Sequence, residues 1–339
     1  MRRLSLALTL TLCSAGAALL AAGPFAKIAE IPIGGAGGFD YNTPDPANHR
    51  LYVSHGNEVV VIDTEKNTVV GKITGLVRVH GIAVAPELGK GFITEGTGAN
   101  HVTAFDLKTL AVTGKVDIAG TPDANPDAIM YEPTMKQVWS FNHSGKTVTV
   151  IDAKTNAIVA TTPIGGTAET GQADASIGKV FVNLEDTDSV DVIDMTSHKV
   201  VATYKVAPAE SPTGMAVDAA THRLFVGGGK ALVMMDTNTG KVVASAPICA
   251  NTDATWYDAA LKTAFVSCSD GHVTVVSVAG DKLTVAQTID TARGARTMSV
   301  DTATHRLYLA ANKFAEPATP GGRGAAVPDS FHVMVFAQK

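Results

Sequence analysis

"HRLYVSHGNEVVVIDTEKNTVVGKI", residues 49–73, is the stretch whose reading decides the fold. Two runs of branched apolar residues, Leu51–Val53 and Val59–Ile62, flank a Ser-His-Gly-Asn turn, and an Asp-Thr corner leads into a third run at Val69. Short β-branched runs divided by Gly, Asn and Asp are the pattern of strands joined by tight hairpins. The phrase returns as "HRLFVGGGKALVMMDTNTGKVVASAPI" at 222–248. With the first apolar residue of its leading run as anchor, the chain aligns at Leu51, Gly91, Val138, Val180, Leu224, Ala264 and Leu307, spaced by 40, 47, 42, 44, 40 and 43 residues.

A four-strand unit recurring every 40 to 50 residues predicts an all-β, seven-bladed β-propeller of four-stranded antiparallel blades, with strands a to d running outward from a central channel. The expected blades are 38–74, 79–119, 126–165, 169–206, 212–248, 251–290 and 295–337. The seventh unit ends after three strands at "FHVMVFAQK", while "FAKIAEIPIGG" at 25–35 resembles the fourth strands "AVTGKVDIAG" (111–120) and "AIVATTPIGG" (157–166). Residues 25–33 are therefore expected to complete the last blade and close the ring, which removes exposed strand edges.

The phrases "LYVSHGNEVVVIDTEKNTVVGKI", "VTVIDAKTNAIVATTPIGG" and "VDVIDMTSHKVVATYKVA" resemble the YVTN repeat, and together with an apolar leader they resemble the YncE-type family of exported seven-bladed propellers. The resemblance spans nearly all of the chain after the leader. It implies a fold more than an activity, because propellers host binding, hydrolytic, lyase and redox-associated roles. One bacterial periplasmic member of the family is associated with DNA binding.

Composition fits a well-cored, turn-rich protein: 339 residues, 45% hydrophobic, 17% charged, with 32 glycines. The net charge of −5 argues against a broad nucleic-acid-binding surface. "MRRLSLALTLTLCSAGAALLAAG" has two arginines, an apolar run and small residues, and reads as a signal peptide over 1–23, cleaved near Ala22 or Gly23. Leu12 before Cys13 is wrong for a lipoprotein signal. The expected product is a periplasmic or secreted monomer, residues 24–339, without a transmembrane anchor. In an oxidising compartment the remaining Cys249 and Cys268 are expected to pair, since they fall opposite one another across an a–b hairpin of blade six.

In a propeller the d–a loops and b–c turns share the face where ligands usually bind. Eleven positions before each anchor stand Asp40, His80, Asp127, Glu169, Thr213, Asp253 and Arg296, six of them ionisable. The b–c turns add His55, Glu95, Asn142 and Cys268, with His143, Glu185 and Asn312 one position on. Such a rim suits a polar small molecule or a protein partner, and Asp40, His80, Asp127, Glu169, Asp253, Arg296, His55, Glu95 and His143 are the expected ligand-binding residues. Asp40, His80 and Asp127 form a donor set for a divalent metal ion. With such an ion, His80, Asp127 and Glu169 become candidates for acid–base chemistry in a metal-assisted hydrolase or lyase. The leading expectation is a binding module. Three further features bear on the rim: "NKFAEPATPGGRGAAVPDSF" (312–331) is a long b–c insertion that could bring Arg323 and Asp329 over the mouth, the "HRL" triplets at His49, His222 and His305 fall on the opposite face with a structural look, and Trp139 and Trp256 read as packing residues.

Overall fold

The computed structural model describes residues 24–118, 124–315 and 324–339; the leader read over 1–23 and Arg323 lie outside the described residues. Seven four-stranded antiparallel sheets form the ring, and in six of them the strands follow chain order. Blade one runs Asn42–Asp45, Arg50–His55, Glu58–Asp63 and Thr68–Ile73 as strands a to d. The seventh sheet takes Met298–Asp301, Arg306–Ala311 and His332–Gln338 from the end of the chain and Phe25–Pro32 from its start. The N-terminal strand thus supplies the closing strand d, as the sequence predicts. Phe25 packs edge-on against Phe265 of blade six at 5.0 Å between ring centroids, and Ile31 is buried with Leu51 and Val333. Gln287 clamps the same strand by accepting from the Phe25 amide (2.9 Å) and donating to the Phe25 carbonyl (2.8 Å).

The repeated phrase produces the blade through local hydrogen bonding as well as hydrophobicity. Strands b and c are sandwiched between neighbouring blades, so Leu51, Tyr52, Val53 and Val59–Ile62 are wholly buried, while strand d is outermost and leaves Val69 and Val70 exposed. The Asp that ends strand c makes an Asx turn in five blades: Asp63, Asp106, Asp152, Asp194 and Asp236 each accept, through Oδ1, from amides two and three residues on. Blade six departs from this with a long c–d hairpin, His272–Ala279 with Lys282–Asp290, turning at Gly280.

On the face of the a–b turns, His222 Nδ1 lies 3.2 Å from Asp174 Oδ2 of the preceding blade, and His305 Nδ1 lies 2.6 Å from Asp258 Oδ2. Two of the three "HRL" histidines therefore tie successive blades together. Cys249 and Cys268 form a disulfide with Cα atoms 5.8 Å apart, where Cys268 pairs with Thr252 at the start of strand a of blade six. No helix among the described residues is long and apolar enough to cross a membrane.

Candidate functional site

The rim residues sit at the entry of strand a in each blade, where the d–a loop turns into the channel. The structure divides them into two groups. Across blades one to three, His80 Nδ1 lies 2.6 Å from Asp40 Oδ2 and 3.4 Å from Asp127 Oδ1. This cluster is compact because Gly96 faces the imidazole; a Cβ there would stand 2.6 Å from His80 Nε2. Burial, then repulsion from Asp40, pushes the Asp127 carboxyl up to about 8. For His80 burial acts downward, but the two carboxylates outweigh it and its net shift is upward. The Asp40–His80–Asp127 donors lie within 4.8 Å of one another, which meets the spacing of a metal-ligand set.

The second group lines an open cavity of 630 Å³ over blades four to seven and the Gly38–Phe39 loop that enters blade one, with Glu169, Glu185, Asp253 and Arg296 as its charged walls. His143 buttresses it, with Nε2 at 3.3 Å from Glu169 Oε1 and 3.7 Å from Glu185 Oε2. The hydrogen bond to Glu169 holds the His143 imidazole up to about 9, so it is a cation at neutral pH. Burial pushes Asp253 up to about 7, Arg296 pulls against that, and Asp40 and Glu169 add repulsion. Glu169 is likewise raised, mainly by burial. Arg296, with 47% of its side chain exposed, has one carboxylate within 4.0 Å, Oδ1 of Asp40, and its guanidinium donates no hydrogen bond among the described residues.

Below the mouth the seven a strands enclose a shaft of 220 Å³, with Tyr41, Ile82, Ile129, Met130, Trp256 and Met298 among its apolar walls. Asp253 is followed in sequence by Ala254–Trp256 and Glu169 by Thr170, so the same strands pass from the mouth into the shaft. Tyr41 marks the junction: burial, with Asp127, Glu169, Asp40 and Asp253 around it, drives its hydroxyl far above the usual phenol range and keeps it protonated. Sequence reading passed over Tyr41, although it directly follows Asp40, and treated Trp256 as packing alone. Trp256 does pack, donating Nε1–H to Met298 O at 2.8 Å, but it also walls the shaft.

Two predicted ligand residues point elsewhere. Glu95 is wholly buried inside blade two, where it accepts from the Val77 amide at 2.6 Å, from Thr103 and from Lys115 Nζ at 3.1 Å. His55 is buried at the junction of blades one and seven and stacks on Phe331 with centroids 4.2 Å apart. The glycines of "GGAGG" explain its cover, since a Cβ on Gly35 would stand 3.1 Å from His55 Cε1 and Gly37 holds φ +148°. His55, His80 and His143 thus have separate partners and do not form one pocket. The flanks of the blade-seven insertion fold over the mouth as a small ladder, Phe314 opposite Ala326, and both residues line the cavity. Asp329 turns aside to accept from the Gly35 amide at 3.1 Å.

Compared with profiles of known protein families and with curated proteins, the sequence matches none.

Proposed function

We propose that the chain is an exported propeller of the YVTN, YncE-like kind that works as a binding module, taking a small polar ligand in the mouth cavity. One observation carries the reading: opposite charges, Glu169, Glu185 and Asp253 against Arg296, face a common cavity of 630 Å³, and the strands that carry Glu169 and Asp253 go on to line an apolar shaft. That volume falls in the range of about 300–1,000 Å³ usual for small-molecule sites. The disulfide supports an oxidising compartment, and the leader read over 1–23 supplies the route. The acidic balance argues against nucleic acid as ligand, and a ring closed by its own N-terminal strand suits a monomer. A small-molecule library screened by NMR against the mature chain tests the site. Binders should lose affinity in Glu169→Gln and Arg296→Gln and keep it in Lys66→Ala, on the far face. Binding that ignores both mouth substitutions would refute the reading.

The Asp40–His80–Asp127 cluster supports a second reading, a metal-assisted hydrolase or lyase. One imidazole and two carboxylates would hold a divalent ion through His80 Nδ1 and the Asp oxygens, and such an ion supplies Lewis acidity or an activated water. Elemental analysis separates the readings. This alternative requires a stoichiometric divalent ion that is lost in His80→Ala and Asp127→Ala.

A further inference from the structure

We infer that the ligand of the mouth is a small zwitterion with an ammonium and a carboxylate on the same carbon, a free α-amino acid, carrying an apolar side chain that descends into the shaft. The inference rests on the binding-module reading above and specifies its ligand class.

The charges decide between classes. His143 already offsets part of the charge of Glu169 and Glu185, so a simple anion meets the remaining acidic surplus around one guanidinium, and a simple cation meets an arginine whose side chain is half exposed and free of hydrogen bonds among the described residues. A zwitterion satisfies both. Its carboxylate takes the fork of Arg296, which is suited to bidentate pairing. Its ammonium lies toward Asp253, which lines the cavity beside Glu169 and whose burial and repulsion from Asp40, Glu169 and Glu185 make a cation next to it favourable.

The shaft decides the rest of the molecule. Tyr41, Trp256 and three methionines, Met130, Met215 and Met298, offer an adaptable apolar wall beneath the charges.

Titration calorimetry of the folded mature chain with four probes tests the inference: L-phenylalanine, 2-phenylethylamine lacking the carboxylate, 3-phenylpropionate lacking the ammonium, and L-alanine lacking the ring. Phenylalanine should bind tightest, and each deletion should weaken binding by about tenfold or more, the loss of one charge-assisted contact or one buried ring. Arg296→Gln should erase the difference between phenylalanine and phenylethylamine, whereas Arg296→Lys retains part of it. Asp253→Asn should erase the difference between phenylalanine and phenylpropionate, and circular dichroism confirms that each variant is folded. Equal binding of the amine, or of the acid, would overturn the zwitterion while leaving the mouth a ligand site. Absence of binding by all four would also overturn it, and the library screen then decides separately whether the mouth binds anything.

Discussion

Replacing Asp253 with Asn should stabilise this protein, and the stabilisation should grow with pH. Asp253 is raised from 3.8 to about 7, with burial as the largest cause. A raised carboxyl pKa means that the folded protein holds a proton the unfolded chain has already released, so ionisation of Asp253 weakens the fold as pH rises through roughly 4 to 7. Three units at 1.36 kcal/mol each give a ceiling of about 4 kcal/mol, fully expressed by about pH 8 and absent near pH 4. The amide keeps the shape and cannot ionise. Asp40, Glu169 and Glu185 face the same charge and gain from its loss, while Arg296 loses a counter-ion already reckoned in the shift. Urea unfolding of wild type and Asp253→Asn between pH 4 and 8.5 should give curves that meet at the acid end and separate toward the alkaline end, with the slope against urea unchanged. A variant less stable than wild type at pH 8 would refute the reasoning, because Asp253 would then be a stabilising partner of Arg296. A gap independent of pH would refute it too. If the gap appears, the mouth holds charge at the expense of stability, and a ligand ammonium placed there would recover part of that loss.

The double change Cys249→Ser and Cys268→Ser opens a loop of 19-residue separation and should cost about 3 kcal/mol, read as a lower unfolding temperature, while residues 24–339 without the leader and its Cys13 should show no reactive thiol when unreduced. Phe25→Ala removes a buried ring from the strand that closes the ring of blades and should cost about 3–5 kcal/mol in urea unfolding, with opened, associating species visible on size exclusion. Gly96→Ala should displace the His80 imidazole, costing about 1–3 kcal/mol and moving the His80 ring resonances by NMR; unchanged resonances would mean that Gly96 does not cradle the ring.

The blade was legible in the sequence because its determinants are local and repeated. Apolar alternation sets the strands, and the Asp that ends strand c bonds to amides only two and three residues away, so the same letters give the same corner at Asp63, Asp152 and Asp236. Closure was legible for a related reason: residues 25–33 carry the fourth-strand pattern that the last unit lacks. Blade six had no such corner to read, and its long hairpin is set by Gly280 and by cross-strand pairing instead.

The site was only half legible, and a single step of strand parity accounts for much of the difference. His55, Glu95, Asn142 and Cys268 are each the last residue of strand b, and at that position the side chain belongs to the face of the blade. All four are buried, whatever their polarity. One residue further on the chain has left the ladder, and there Glu185, Ser269 and Asn312 line the mouth while His143 braces it. A shift of one position turns a side chain from one environment to the other, so the aligned turn column placed Glu95 on the rim when the geometry puts it against Lys115. The a-strand column had no such ambiguity, and its ionisable residues do reach the channel. What that column could not convey is grouping. Asp40 and Asp127 come from blades one and three and meet because His80 stands between them, whereas Asp253 and Arg296, on adjacent blades, line a cavity left open in front of them. The identity of the middle residue, a histidine able to bridge two carboxylates in one arc and the short Thr213 between Glu169 and Asp253 in the other, is what closes one half of the rim and leaves the other available to a ligand.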